Sequence, residues 1–201
     1  MSNSVEAPNI SQEGLTFVIS APAGTGKTTL ANMLVEEFDR VKRCVTCTTR
    51  KPRKEEVHGK DYFFLTEEEF RLMAKKREFL EYVNLFEYSY GTPKQWIADQ
   101  KKQGYHVLLV IDVQGAMNLR DKIDAVYVFL SPPTKDELRL RLNKRAMDTQ
   151  EEIELRLSQA EKEMQEALHY DYQIINRDLH TAYQVLRSIL IAEEHKIKNK
   201  K

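Results

Sequence analysis

The segment that most constrains this chain is the turn at residues 20–28, which reads SAPAGTGKT. An apolar run, Leu15 to Ser20, precedes the turn, and a helical pattern, Thr28 to Phe38, follows it. A strand, a glycine-containing turn and a helix in this order predict a phosphate-binding loop of the pattern GxxxxGK[ST]. Ala21 stands where that pattern has its first glycine, which is tolerable unless the backbone there needs a positive φ.

The residues of this loop suit a chain of phosphates. Gly24 and Gly26 let backbone N–H groups turn toward an anion, and Lys27 would reach the outer phosphates. Asp112 ends a buried apolar run as a Walker B carboxylate would, so Thr28 and Asp112 are the predicted Mg²⁺ ligands. The sequence therefore predicts a nucleoside triphosphate site. Its nucleotide-binding residues would be Ala21, Pro22, Ala23, Gly24, Thr25, Gly26, Lys27, Thr28 and Thr29.

The rest of the chain alternates apolar runs with helical patterns. Further strands are predicted at 106–112, 125–131 and 172–176. Continuous apolar strands separated by helices indicate a parallel sheet covered on both faces, which is the three-layer α/β fold of P-loop proteins. A threonine with a glutamate three residues later predicts a capping box at Thr66, Thr134 and Thr149. Thr92 is predicted to cap a helix whose first residue is Pro93.

One predicted helix carries a long apolar stripe, which we assign to the core. The stripe consists of Ile153, Leu157, Ala160, Met164 and either Ala167 or Leu168. Residues 46–92 break the alternation of strands and helices. They hold a basic turn, the strand YFFL (62–65), a short helix and many aromatic and β-branched residues, so we expect a small mixed sheet inserted into the main domain.

Cys44 and Cys47 have a CxxC spacing, but no second such pair or His pair accompanies them. If RCVTCTT is one β-branched strand, residues three apart point to opposite faces, so we expect two reduced thiols.

The charges limit the partners this chain can have. Its 201 residues carry 31 basic and 31 acidic side chains, which disfavours a broad nucleic-acid or membrane-binding surface but permits a local anion site. Residues 1–14 lack Lys, Arg and an apolar core, so we expect no secretory signal and a cytoplasmic protein. The basic end KIKNKK is interpreted as a solvated tail.

Four further segments carry a resemblance to a known family. TTRKPR (48–53), EVHGKDYFF (56–64), YGT (90–92) and IDVQG (111–115) occur in the order found in guanylate kinases, and the chain resembles that family from about Leu15 to Glu194. The resemblance implies ATP + GMP → ADP + GDP with Mg²⁺. It also implies a domain at 15–195, with the core at 15–45, 93–133 and 157–195, a GMP-binding module at 46–92 and a lid at 134–156. Residues 1–14 and 196–201 would be tails.

Guanine recognition follows from this resemblance. Arg50 and Arg53 flank Pro52, in a turn where both guanidinium groups can converge on one phosphate. Glu81 matches the residue that binds the base: one carboxylate can accept from guanine N1–H and N2–H₂, whereas adenine has no proton at N1. Such a mismatch discriminates by roughly 10⁴-fold. The implied GMP-binding residues are Thr46, Arg50, Arg53, Tyr62, Glu81, Tyr90, Gly91, Thr92 and Asp112.

The resemblance also implies the residues that act in transfer. They are Lys27, Arg141, Arg145 and Arg156, with Asn176 near the adenine. The implied substrates are ATP and GMP, with dGMP as a second acceptor, for a monomer or homodimer that binds neither nucleic acid nor membrane.

Two positions depart from the family pattern: Val110 replaces an acidic residue, and residues 143–146 (Asn-Lys-Arg-Ala) lack the usual glycines. Two alternatives stay open, a protein-binding module of this fold and a nucleoside monophosphate kinase for another base.

Overall fold

The centre of the protein is a five-stranded parallel sheet, seen in a computed structural model that describes residues 13–85, 87–144 and 149–197. Four of its strands were predicted, each to within two residues at either end, and the α/β class is confirmed. In spatial order the strands are β2 (Val41–Arg43), β7 (His106–Val110), β1 (Thr16–Ser20), β8 (Val126–Ser131) and β9 (Tyr172–Ile175).

Helices cover both faces of this sheet, as its apolar strands require. The helices of the described residues are α1 (Lys27–Glu37), α2 (Glu67–Lys75), α3 (Lys94–Lys102), α4 (Val113–Leu119), α5 (Lys135–Asn143), α6 (Gln150–Gln165) and α7 (Leu179–Glu194), of which α2 packs on the inserted sheet instead. Phe17 and Ile19 pack into one core cluster with residues of α1 and α7. Val18, between them in β1, packs into a second cluster with residues of α3 and α4. The carboxyl ends of the strands therefore meet at one edge of three packed layers.

The inserted segment forms the expected mixed sheet. Its spatial order is β4 (Phe63–Phe64), β3 (Cys47–Thr48), β6 (Tyr88–Pro93) and β5 (Phe79–Leu85). Only β3 and β4 pair in parallel, and the remaining pairs are antiparallel. Phe70 of α2 packs on Phe79, with ring centroids 4.6 Å apart, and with Cys47 forms a small separate core.

The two cysteines lie in different sheets, so the expectation of one strand through both is wrong. Cys44 N–H donates to Leu108 O and extends the parallel sheet, whereas Cys47 belongs to β3. The chain passes from one sheet to the other between them. Both thiols are free and buried, and burial raises the pKa of Cys47 to about 11.

Helices α5 and α6 form a pair with its own core, built from Leu138, Leu142, Ile153, Leu157 and Ala160. The predicted stripe holds at its first three residues and at Ala167, which packs partly buried against the second core cluster, but it is wrong at Met164, which is 40% exposed. Leu168 is 92% exposed, because α6 ends at Gln165 and a 3₁₀ turn (Glu166–His169) changes the period. Helix α6 runs unbroken through the boundary placed after residue 156, so the division into lid and core stays a prediction.

Most of the predicted helix caps are confirmed, and one is wrong. Thr66 and Thr149 form complete capping boxes, while Thr134 accepts from Glu137 N–H alone. The cap at Thr92 is wrong: Pro93 is the N-cap of α3, and the Thr92 hydroxyl bonds elsewhere. Within the described ranges, no helix is long and apolar enough to cross a membrane.

Candidate active site

The phosphate loop connects β1 to α1 at the carboxyl edge of the parallel sheet. Gly24 and Gly26 have φ values of 88° and 95°, which glycine adopts readily. Arg77 is the only described non-glycine residue with a positive φ, so Ala21 occupies its position without this strain. The Thr25 hydroxyl donates to Pro22 O at 2.7 Å and fixes the turn. The loop therefore keeps its fold without the first glycine of the pattern.

Lys27 is held across the edge of the sheet. Its Nζ donates to Ile111 O at 2.8 Å and to Ala21 O at 3.5 Å. Burial lowers the pKa of Lys27, and the carboxylates of Asp112 and Glu163 act in the opposite direction. The ammonium group of Lys27 therefore lies beside the loop, at the carboxyl ends of β1 and β7.

The first turn of α1 and the N-cap of α4 supply oxygen atoms suited to a metal that is carried on phosphates. Thr28 is exposed in the first turn of α1, and Asp112 lines the cavity beside Lys27. Asp112 Oδ1 accepts from Gly115 N–H at 2.9 Å, which leaves Oδ2 for another partner. No group of three or more His, Cys, Asp or Glu residues within the described ranges could hold a metal ion alone. One hydroxyl and one carboxylate fit Mg²⁺, which takes few protein ligands and keeps phosphates and waters.

A cavity of about 650 Å³ collects residues from three parts of the fold. Eight of the predicted site residues line it: Ala21, Ala23, Lys27, Arg50, Arg53, Tyr90, Asp112 and Arg156. The inserted module adds Leu85, Glu87 and Tyr88, which were not predicted. Helix α6 adds Glu152, Leu155, Gln159 and Glu163, also not predicted.

A sequence signal for the missed residues of α6 existed. Glu152, Arg156, Gln159 and Glu163 follow one another at spacings of four, three and four, which places them on one polar face of a helix, beside its apolar stripe. Burial raises the pKa of Glu163, Gln159 donates to its Oε1 at 2.8 Å, and Lys27 favours its charged form. This face of α6 therefore looks onto the phosphate loop across the cavity.

Arg50 is held by an acidic residue that was also missed. Its Nη2 donates to Glu56 Oε1 and Oε2 at 2.8 and 2.9 Å, and its Nη1 donates to Lys51 O. The Arg53 backbone N–H donates to the same carboxylate at 2.8 Å. Glu56 therefore fixes the turn that carries both arginines, and its pKa is lowered by Arg50 and Arg53 against the effect of burial.

The two predicted tyrosines stand beside Arg50. The guanidinium of Arg50 lies 5.5 Å from the ring centroid of Tyr62, and the Tyr62 and Tyr90 rings are 6.1 Å apart. Burial is the main cause that raises the pKa of Tyr62, so its hydroxyl stays protonated near neutral pH. Two hydroxyl donors and two guanidinium groups are thus gathered in one region of the inserted module.

The predicted base-binding residues lie deeper, where β5 and β6 face α4. Glu81 is 8% exposed, and its Oε1 accepts from the Thr92 hydroxyl at 2.5 Å. Its Oε2 is buried, and no described residue donates a hydrogen bond to it. Burial raises the pKa of Glu81 to about 7; Thr92 opposes this shift and Asp112 adds to it. A buried acceptor without a donor is the kind of atom a ligand N–H satisfies.

Gly115, a member of the IDVQG motif with no role assigned from sequence, borders this carboxylate. A Cβ at Gly115 would lie 2.9 Å from Glu81 Oε2, closer than real Cβ contacts allow. Thr46 is buried directly before β3, and Gly91 lies in β6 opposite Tyr82 of β5. Val110, at the acidic position of many family members, packs partly buried against the core.

The remaining predicted residues surround the loop from the side of α5. Arg141 donates from Nε to Glu137 at 2.9 Å and from Nη2 to Asn176 O at 3.0 Å. Asn176 is buried, and its Nδ2 donates to Thr25 O in the loop at 2.8 Å. Arg145, with the departure at Ala146, lies outside the described residues, so the structure does not place it.

Comparison with known proteins identifies the arrangement. A family model described as guanylate kinase matches residues 13–193. The chain is 52% identical over 189 residues to a guanylate kinase of Protochlamydia amoebophila, covering 94% of this chain and 96% of that one. It is 47% identical over 182 residues to a guanylate kinase of Chlamydia muridarum, covering 90% and 89%. The crystal structure of guanylate kinase from Anaplasma phagocytophilum superposes with a TM-score of 0.77 at 33% identity, covering 93% and 89%.

Proposed function

The chain belongs to the guanylate kinase family, and we infer that it transfers the γ-phosphoryl group of ATP to GMP, giving ADP and GDP. The observation that carries this inference is the shared cavity. Lys27 of the phosphate loop and Arg50 and Arg53 of the inserted module line the same space, so two phosphate-binding groups face each other across it. A protein-binding module would not require this juxtaposition.

The residues of the cavity fit phosphoryl transfer between two bound nucleotides. The attacking atom would be a phosphate oxygen of GMP, which is already anionic near neutral pH, so no general base is needed. Arg50, Arg53, Tyr62 and Tyr90 would bind this phosphate. Lys27, Arg141, Arg145 and Arg156 would stabilise the charge on the transferring group and align it with the acceptor.

Thr28 and Asp112 are the residues that would hold Mg²⁺ on the phosphates of ATP. When bound, the ion would offset negative charge on the β- and γ-phosphates. The phosphate loop itself, residues 21–29, would bind the same phosphates through backbone N–H groups at the N-terminus of α1. Thr28 would therefore contribute in two ways: its backbone N–H would bind the phosphates, and its side-chain oxygen would bind Mg²⁺.

Base selection would fall to the buried carboxylate of Glu81. Guanine would place its N1–H and N2–H₂ against Glu81, where Oε2 has no donor within the described residues. Thr92 orients the carboxylate through Oε1, and Thr46 and Gly91 would lie beside the base. Adenine would leave Oε2 facing another acceptor, so a kinase for another base is disfavoured.

Closure over the substrates would exclude water and so limit hydrolysis of ATP. Leu85 and Tyr88 of the inserted module and Leu155 of α6 line the cavity, and the latter two are exposed large apolar side chains. We propose that these walls approach each other when both nucleotides bind. Use of dGMP, a cytoplasmic location and a monomeric or dimeric state are proposed from the sequence alone.

An ADP-release assay coupled to NADH oxidation, run across GMP, dGMP, AMP, CMP and UMP, tests the function. We expect GMP to give the highest kcat/KM, with AMP lower by roughly 10³-fold or more. If AMP outran GMP, the assignment of the base would be wrong. If no monophosphate supported ADP release while ATP still bound, the chain would be a binding module of this fold.

A further inference from the structure

We propose that Asn176 is a positioning residue for phosphate binding, which orients an amide of the phosphate loop and the Arg141 side chain at the same time. The proposal rests on the proposed function, since it assigns Asn176 a task in binding the phosphoryl donor. It concerns the polyphosphate, in contrast to the contact with adenine that the family resemblance implies for this residue.

Asn176 is itself fixed by the central sheet. It follows β9 directly, and its backbone N–H donates to Ser131 O at 2.8 Å, which continues the pairing of β8 with β9. The residue is 4% exposed. Its side chain therefore projects from a rigid edge of the sheet, which suits a group that must hold others in place.

The side chain determines which way one peptide of the loop faces. Asn176 Nδ2 donates to Thr25 O at 2.8 Å. In a planar trans peptide the C=O and the following N–H point in opposite directions. Because Thr25 O points toward Asn176, the N–H of Gly26 points away from it. We infer that this N–H is one of those that the loop offers to a phosphate.

The sequence of the loop agrees with this arrangement. Gly26 has a φ of 95°, and a Cβ there would lie 2.9 Å from Asn176 Nδ2. The Thr25 hydroxyl is held separately by Pro22 O, so the peptide is fixed from both sides. Gly26 therefore serves two requirements, a left-handed backbone and close approach of Asn176.

The backbone of Asn176 supports a second phosphate-binding group. Its carbonyl accepts from Arg141 Nη2 at 3.0 Å, while Glu137 accepts from Arg141 Nε. The two bonds hold the guanidinium of α5 against the residue that contacts the loop. A loop amide and a cationic side chain from different elements thus share one rigid support.

The test uses inorganic tripolyphosphate, which has phosphates but no base, as a competitor of ATP in the full-length protein. We expect Asn176→Ala to raise its inhibition constant about tenfold, because the buried Thr25 O loses its donor. Asn176→Asp should raise it further, since a carboxylate oxygen would face Thr25 O. The KM for GMP should change by less than about twofold, because GMP binds at the other end of the cavity.

The matched control is Asn32→Asp, the same change in charge at an exposed position of α1, the helix that follows the loop. It should leave the inhibition constant of tripolyphosphate within about twofold of wild type. A loss of similar size in Asn32→Asp would assign the effect to general charge repulsion and overturn the proposal.

A second measurement does not depend on turnover. The chain has seven glycines, so ¹⁵N-glycine labelling gives few amide signals. Tripolyphosphate should shift the Gly26 amide strongly in the wild type and much less in Asn176→Ala. The signals of Gly59 and Gly104 should be the same in both proteins, which shows that the variant is folded.

Two further outcomes would overturn the proposal. Unchanged tripolyphosphate binding with a raised KM for ATP would mean that Asn176 contacts adenine. Equal losses for ATP and GMP, with altered signals at Gly59 and Gly104, would mean a general structural role. The proposed function fails separately, if the wild type binds tripolyphosphate as expected but does not phosphorylate GMP.

Discussion

The phosphate loop and the carboxylate proposed to bind the base would be the two ends of one site, yet they are built in opposite ways. The loop is a single short segment that is proposed to bind phosphate mainly through backbone N–H groups, with Lys27 beside them, and its shape comes from Gly24 and Gly26. The carboxylate of Glu81 depends on Thr92 from the neighbouring strand and on Gly115 from α4. One end is local and made of backbone, whereas the other is assembled from distant segments and made of side chains.

This difference determines what each end tolerates. The loop keeps its conformation with Ala21 at a glycine position, because the backbone there does not need a positive φ, and an amide N–H is available whatever the side chain. The carboxylate has no such freedom. Its Oε1 is engaged by a specific hydroxyl, and the space beside Oε2 exists only because residue 115 lacks a Cβ. We therefore expect single-atom changes to matter more at the base end, and removal of charge to matter more at the phosphate end.

Replacement of Lys27 by alanine should give the largest effect. The variant loses the buried cation between the loop and β7, so kcat should fall on the order of 10³-fold or more. The coupled ADP-release assay measures this loss, and Lys122→Ala, at an exposed position after α4, is the control. Activity of Lys27→Ala near the wild-type level would remove the phosphate loop from the mechanism.

Glu81→Gln should be next in size and confined to the acceptor nucleotide. The amide keeps the volume of the carboxylate but presents an N–H₂ to the N–H groups of guanine. We expect kcat/KM for GMP to fall about 10²-fold while the dissociation constant of ATP stays unchanged. Calorimetry with each nucleotide separates the two effects, and Glu68→Gln, at an exposed position of α2, is the control. Equal losses for both nucleotides would show that Glu81 does not bind the base.

Gly115→Ala tests whether binding of guanine at Glu81 requires that residue 115 has no Cβ. The added Cβ would lie 2.9 Å from Glu81 Oε2 and should displace it, so the KM for GMP should rise roughly 10- to 50-fold. Stability should not fall in parallel, because alanine favours the helix over glycine by about 1 kcal/mol. Gln114→Ala, exposed in the same helix, is the control. An unchanged KM with raised stability would contradict the proposed contact.

The same contrast explains what could be predicted from the sequence. The turn of the phosphate loop and four of the five central strands were predicted because their signals are local: continuous apolar runs and a glycine turn before a helix. The short strand β2 has no such run and was not predicted. Thr92 was assigned a helix cap because Thr-Pro is a local capping signal, but its hydroxyl bonds Glu81 across two paired strands. Such a partner depends on the pairing of β5 with β6, which no local pattern specifies.

Glu56 and Glu163 were missed for two different reasons. Glu163 belongs to a polar helix face whose periodicity was available, but that face resembles an ordinary solvated surface until α6 is placed over the loop. Glu56 is six residues from Arg50, in a turn without a repeating pattern, and only the folded turn shows its contact with both arginines. Regular elements could be predicted from the sequence, while partners across irregular segments required the structure.

The smallest predicted effect is the response of the base end to pH. In the proposed site Glu81 would have to be ionised to accept from guanine, and its pKa of about 7 means that acid would remove the acceptor. Guanosine, which has no phosphate to titrate, should therefore bind up to about tenfold more weakly at pH 6 than at pH 8. Titration calorimetry at both values checks this, and Glu81→Gln should show no such dependence.

Stability should change with pH in the opposite direction, because a raised carboxyl pKa means that the folded chain retains a proton that the unfolded chain releases. The contribution of Glu81 to the free energy of unfolding is therefore largest below pH 4.5 and is lost as pH rises through about 7, a span of about 3 kcal/mol. Glu81→Gln should become more stable than the wild type at pH 8 in urea unfolding, yet bind guanosine less well. If the wild type were the more stable protein at pH 8, Glu81 would not be held in a site that disfavours its charge, and the contrast between the two ends would fail at this residue.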